Sequence, residues 1–252
     1  RVITQDGVET IGVGAFQYCT QLKSVEMTDS ITNINNDAFS QDTNLQNVKL
    51  SNNITRIASG LFFCCLNLSK IDIPENVTSI EDISFASCTK LDNVYIPKNL
   101  NVIESGAFRN CDNLNTIIID KENQSFTKED NIVYKVSEIS KSLVISLASN
   151  TNKKEITIPE GVTSLDTGAL GYFKQVETLN LPSTLSSISG WTFVGCGNAL
   201  ETMTIPESNK TYKIEDNMIL SKNGEILIKS SMNRENINIP NSVKTIGAAS
   251  IT

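Results

Sequence analysis

The sequence predicts a solenoid of short repeating turns, on three observations: an apolar pattern recurring every 23 residues, prolines confined to one phase of it, and two similar interruptions. The unit Val77 to Asn99 shows the pattern most plainly. In it Val77, Ile80, Phe85, Cys88, Leu91, Val94 and Ile96 form a set whose gaps fit neither one long helix nor one strand. The same set returns at 23-residue shifts back to Val8 and forward to Ile119, so five consecutive units keep register. A chain of 252 residues would ordinarily hold one or two globular domains. A solenoid instead buries its core between neighbouring turns and grows by adding turns, so residues 1–252 are predicted as one long domain.

Regular repeats are predicted over 1–119. Each carries a strand of the form L-x-x-V-x-I; in Leu91 to Ile96, alternation points Val94 and Ile96 inward and Tyr95 outward. Stacked strands of this kind give a parallel sheet. Pro74, Pro97, Pro159, Pro182, Pro206 and Pro240 each follow the last inward strand residue, where a missing N–H ends the ladder. An arm V-x-x-I comes next, then a corner such as Ala15-Phe16, Ala38-Phe39 or Ala107-Phe108, whose rings form a core column. Asn53, Asn76 and Asn99 share one phase before the arm and are expected to hydrogen-bond turn backbone.

The register breaks after Ile119 and again after Met203. The breaks contain Phe126 to Tyr134 and Tyr212 to Leu220, each followed by an apolar run, Leu143 to Leu147 and Ile226 to Ile228. Each break is predicted as a β-hairpin insertion, 120–155 and 207–236, with Asn223-Gly224 turning the second. Repeats resume over 156–206, with Leu170 and Phe173 in place of the usual Phe and Cys, and with Trp191 beside Phe193. One extra residue falls near Gly197-Asn198, and a partial repeat is predicted over 237–252.

A formal charge of −7 with no basic cluster argues against nucleic acid and anionic membrane as partners. No apolar run approaches the ~20 residues of a membrane span. The segment opens on a strand-like Arg1-Val2-Ile3-Thr4 and stops in mid-repeat, so it is expected to be cut from a longer protein that carries any signal or anchor. With no histidine in the chain, Ser-His-Asp and Cys-His catalysis and His-containing zinc sites are excluded within it.

Cys19, Cys65, Cys88, Cys111 and Cys196 hold one phase, shared with Asp42 and Phe173, and are expected to be reduced core thiols. Cys64 is expected to point outward and react first. The Glu129–Asn131 and Glu215–Asn217 triplets could offer oxygens to calcium, but lack the spacing of a calcium loop, so turns are expected and no cofactor. Asn53, Asn67, Asn76, Asn123 and Asn209 head N-x-S/T sequons.

The consensus L-x-x-V-x-I-P-x-x-V-x-x-I-x-x-x-A-F-x-x-C-x-x resembles the BspA-type leucine-rich repeats of bacterial and some protist surface proteins, over nearly the whole chain. The interruptions resemble the family's interrupted turns, and Ile158 to Leu165 its restart. The resemblance implies a leucine-rich repeat solenoid: a right-handed coil with a parallel β-sheet on the concave face, short irregular or 3-10 convex arms and two hairpin insertions. It implies an extracellular or cell-surface protein acting in adhesion to a protein or glycan, host or matrix. It brings no residue-level binding motif.

The outward strand column runs Glu26, Lys49, Asp72, Tyr95, Ile118, Thr157, Asn180, Thr204 and Asn238. Tyr95 beside Ile118 resembles a contact anchor, with Lys49, Asp72, Thr157 and Asn180 completing the candidate set. A non-catalytic recognition module is therefore the leading expectation, and a spacer that presents another domain is the alternative. An enzyme built on carboxylates is disfavoured, since neighbouring turns bring no convergent Asp/Glu pair to the sheet.

Overall fold

A computed structural model describes residues 1–104, 106–129, 132–138, 140–146, 154–170, 175–193, 199–230 and 236–248. Its elements are all strands, set in two compact units, Arg1–Val133 and Tyr134–Thr252. In the first unit the strands Val2–Ile3, Ser24–Glu26 and Asn47–Lys49 pair in parallel, Val2 with Val25 and Val25 with Val48. Lys70–Ile71, Asn93–Ile96 and Thr116–Ile119 form a second parallel set in the same 23-residue register. The period-2 pattern fixes that register, because a one-residue slip would turn buried Val94, Ile96 and Ile117 into solvent. At the strand ends the Pro74 and Pro97 carbonyls accept the N–H of Val77 (3.0 Å) and Leu100 (3.2 Å), closing the turn into the arm.

The arms differ from expectation. Instead of irregular or 3-10 segments they form parallel ladders of their own, Thr10–Ile11 with Asn33–Ile34, and Arg56–Ile57, Ser79–Ile80 and Val102–Ile103 together. Each of these arms ends on a buried isoleucine preceded by a residue that is exposed or half-buried, so extended backbone suits the position.

The corner that joins arm to strand rests on two columns of left-handed backbone. Gly14, Asp37, Gly60, Ile83 and Gly106 form one; Tyr18, Gln41, Cys64, Ser87 and Asn110 form the other. The reversal re-aims N–H groups at the next turn, as from Gly60 to the Asp82 carbonyl (3.1 Å) and from Cys64 to the Ala86 carbonyl (2.9 Å). Between the columns Phe16, Phe39, Phe62, Phe85 and Phe108 stack with ring centroids 5.2–5.8 Å apart. Four of the rings are buried, and Phe16 is half-buried. The first turn corrects two expectations, since Val8 and Cys19 are exposed; a turn's core is closed only where neighbours pack on both sides.

In the second unit Glu155–Thr157, Thr178–Asn180 and Thr202–Thr204 form a parallel sheet, and Lys141–Ser146, Val162–Leu165 and Ser187–Ile188 a parallel arm ladder. The run from Leu143 is thus an arm strand of the coil. The later break is a three-stranded meander, Tyr212–Glu215, Met218–Ser221 and Ile226–Ser230, rather than a two-stranded hairpin. Asp216 and Asn217, both with positive φ, turn its first pair, and Gly224 lies in its second turn. The meander's third strand again serves as an arm, pairing in parallel with Thr245–Ile246. Ile237 packs against Met218, Leu220 and Leu227, while residues 236–240 form no strand and Ile239 is exposed, against the expected inward phase. Asp130, Asn131, Leu147, Phe173, Cys196, Gly197 and Asn198 lie outside the described residues.

Candidate functional site

On the first unit's sheet, Glu26 lies beside Lys49 and Tyr95 beside Ile118, in cross-strand register. At one end is a groove of about 360 Å3 lined by Glu26, Asn47, Lys49, Lys70 and Asp72 among others. Glu26 is held there between Arg1 (2.9 Å) and Lys49 (3.9 Å), both solvent-exposed pairs of small energetic value. At the other end Ile118 is 54% exposed and Tyr95 is half-buried. The Tyr95 hydroxyl donates to Asp120 Oδ2, and Asp120 Oδ1 accepts the Glu122 N–H at 2.7 Å. That bond to Asp120, with partial burial and nearby acids, pushes the phenol up to about 12; the Tyr95 hydroxyl and the Glu122 N–H hold the Asp120 carboxyl below its usual range. The phenol therefore stays neutral and the carboxylate ionised throughout the neutral range, and the ring is tethered beside Ile118. Asp120 escaped the sequence reading, although its place at the phase of Pro74 and Pro97 marks it as unusual.

The second unit's face is built differently. Thr157, Asn180 and Thr204 lie in register, but Asn180 donates to Glu155 (2.7 Å) and Thr157 (3.2 Å) and accepts from Thr204 (2.6 Å). These groups satisfy one another. Asn238 is exposed but not on a strand. Trp191, which the sequence reading placed only beside Phe193, is 56% exposed.

The buried thiols of the column do not offer a nucleophile. Cys65, Cys88 and Cys111 are buried free thiols that donate to the carbonyls of Phe39 (3.2 Å), Phe62 (3.1 Å) and Phe85 (3.1 Å) in the preceding turn. Burial pushes all three up, Cys111 to about 12, which suppresses the reactive thiolate. Cys64 is free and half-buried. Among the described residues no cluster of three His, Cys, Asp or Glu side chains is arranged to hold a metal. Asn217 bonds instead to the edge of the neighbouring strand, accepting the Met203 N–H (2.8 Å) and donating to the Glu201 carbonyl.

The asparagine phase does form a ladder: Asn53, Asn76 and Asn99 donate to the carbonyls of Asp29 (2.6 Å), Asn52 (2.8 Å) and Glu75 (2.9 Å). Asn123 and Asn209, read from sequence only as sequon residues, are buried. Asn209 donates to the carbonyls of Pro182, Ser183 and Leu185 and accepts the N–H groups of Thr211 and Tyr212. Asn123 does the same with Pro97, Leu100, Ser125 and Phe126.

Stacked parallel turns that alternate a strand sheet with an arm ladder define the class as a β-solenoid of leucine-rich repeats. The sequence profile of the BspA type leucine-rich repeat region matches residues 9–139 and 146–251 in six copies, and the chain belongs to that family. A leucine-rich cell surface protein of Faecalibacterium prausnitzii is similar in structure, with a TM-score of 0.70 and 23% identity, over 97% of this chain and 68% of that one. A leucine-rich repeat protein of Eubacterium ventriosum gives 0.70 and 18% over 99% and 82%. The pneumococcal vaccine antigen PcpA gives 0.67 and 17% over 97% and 65%. At these identities the likeness is one of fold. Among curated proteins none matches. No helix among the described residues is long and apolar enough to cross a membrane.

Proposed function

We infer that the chain is a non-catalytic recognition module of a cell-surface or extracellular protein, and that a protein partner docks on the exposed sheet face around Tyr95 and Ile118. The observation that carries this reading is the exposed Ile118 side chain beside a ring that Asp120 tethers. An aliphatic anchor next to a tethered aromatic loses little entropy on binding and matches the apolar centre of protein interfaces. A free sugar would use the ring but gain little from Ile118. The groove at Lys49 and Asp72 extends the same strand face with charged groups that suit a polar rim.

The test is binding of wild type and of Tyr95→Ser with Ile118→Ser to arrays of matrix proteins and glycans. The double change should weaken capture of a protein by at least ~2 kcal/mol while leaving the urea midpoint in place. A glycan as the ligand, an affinity unmoved by the double change, or no ligand for the isolated segment would overturn the reading, the last in favour of a spacer.

A further inference from the structure

The cysteine phase holds one acidic residue. Asp42 lies between Cys19 and Cys65 in that column, its residue is 0% exposed, and neither carboxyl oxygen makes a hydrogen bond. At Cys65, Cys88 and Cys111 the column residue makes two bonds. Its N–H goes to the Phe three residues earlier, and its Sγ–H goes to the Phe carbonyl 26 residues earlier. Thus Phe39 O accepts both the Asp42 N–H and the Cys65 thiol, and Phe62 O accepts both the Cys65 N–H and the Cys88 thiol. By the same 26-residue count the acceptor that corresponds to Asp42 is Phe16 O, which accepts the Cys19 N–H at 3.0 Å. A carboxylate has no proton to give that carbonyl; a neutral carboxylic acid has one.

We propose that Asp42 is held in the fold as the neutral acid, donating its proton to the Phe16 carbonyl as the cysteines of later turns donate theirs, and that its ionisation loosens the first two turns. The ionisable side chain in electrostatic contact with Asp42 is the Cys65 thiol, and the Cys19 N–H of the preceding turn, already given to Phe16 O, lies near enough to offset part of the burial. Among the described residues no lysine or arginine acts on the carboxyl, so none of them compensates the charge. Burial, opposed only by that N–H, pushes Asp42 up to about 7.

The sign of the effect follows. An unfolded aspartate titrates near ~4, so from about pH 4 to about pH 7 the unfolded chain has released this proton while the folded chain keeps it. Stability contributed by Asp42 is complete below that window and is lost as pH rises through it, the reverse of an ion-paired carboxylate.

The experiment compares urea unfolding of wild type with Asp42→Cys, the residue the column uses elsewhere, and with Asp42→Asn, whose amide can always donate. The folding constant of wild type relative to either variant should fall about tenfold per pH unit between about pH 4 and pH 7 and then level off. Amide protection factors, taken relative to the intrinsic exchange rate at each pH, should fall over the same range in the first two turns alone. Parallel pH curves for wild type and variants would overturn the proposal. Should neither variant fold, infrared difference spectra decide it: a neutral carboxylic acid band at pH 6 must survive in Asp166→Asn, which removes another carboxyl raised by burial. Absence of the band would equally overturn it.

Discussion

The turn entered at Pro97 and the turn entered at Pro206 begin alike and end differently. Each proline carbonyl accepts the N–H three residues on, at 3.2 Å from Leu100 and 2.9 Å from Asn209. Leu100 then sends its chain into an ordinary arm strand, Val102–Ile103, whereas Asn209 starts the strand Tyr212–Glu215 of a meander. Both side chains are buried. The apolar one only fills space. The amide grips three carbonyls of the turn before and two N–H groups of the strand ahead, so one residue at this phase decides whether the chain goes round or goes out. Asn123 makes the same choice after Asp120, ahead of the strand Phe126–Glu129.

The sharpest check within an ordinary turn is Phe85→Ala, which opens a cavity between stacked rings and should cost about 3–5 kcal/mol in urea unfolding, against under about 1 kcal/mol for outward Tyr95→Ala. The reverse ranking would mean that the inward and outward phases are misassigned. For the meander turn, Asn209→Leu inserts the residue of the ordinary turn. It keeps the volume but orphans the Thr211 and Tyr212 N–H groups and carbonyls of the preceding turn, a loss of about 2–4 kcal/mol. A neutral result would show that Asn209 fills space as Leu100 does.

The smallest effects lie in the left-handed corners, where one column should give opposite signs. Gly60→Ala places a methyl 2.1 Å from Asp37 Oδ1 at a φ of +63° and should destabilise by about 1–2 kcal/mol. Ile83 holds a β-branched side chain at a φ of +49°, so Ile83→Gly should stabilise by about 1 kcal/mol. Equal signs would remove backbone strain from the account of these corners.

Periodicity made the strands, the proline phase, the asparagine ladder and the phenylalanine column legible, because each rests on residue character repeated at fixed spacing. What escaped was polar and buried together. Asn123 and Asn209 read as surface because apolarity was the marker of the core, yet five backbone partners make Asn209 as much an interior residue as Leu100. The arm ladders escaped because two-residue strands such as Ser79–Ile80 leave too few positions for an alternation to show. The outward phase named Tyr95 and Ile118 as site candidates but not Asp120, whose bond depends on the reach of the Tyr95 hydroxyl into the next turn.

The asparagine ladder also bears on how such a chain can change its length over generations. Asn53, Asn76 and Asn99 each bond the carbonyl 24 residues back, one full turn and one residue more. A recombination event that copies 23 residues between Asn53 and Asn76 hands every amide a carbonyl at the same offset, whatever point it starts from. Loss of a single codon in that stretch shifts the asparagine, phenylalanine and thiol columns together. Whole turns can therefore be gained or lost with every column in register, whereas a one-residue change must be absorbed within its own turn, as between Leu179 and Met203, whose strands pair at an offset of 24.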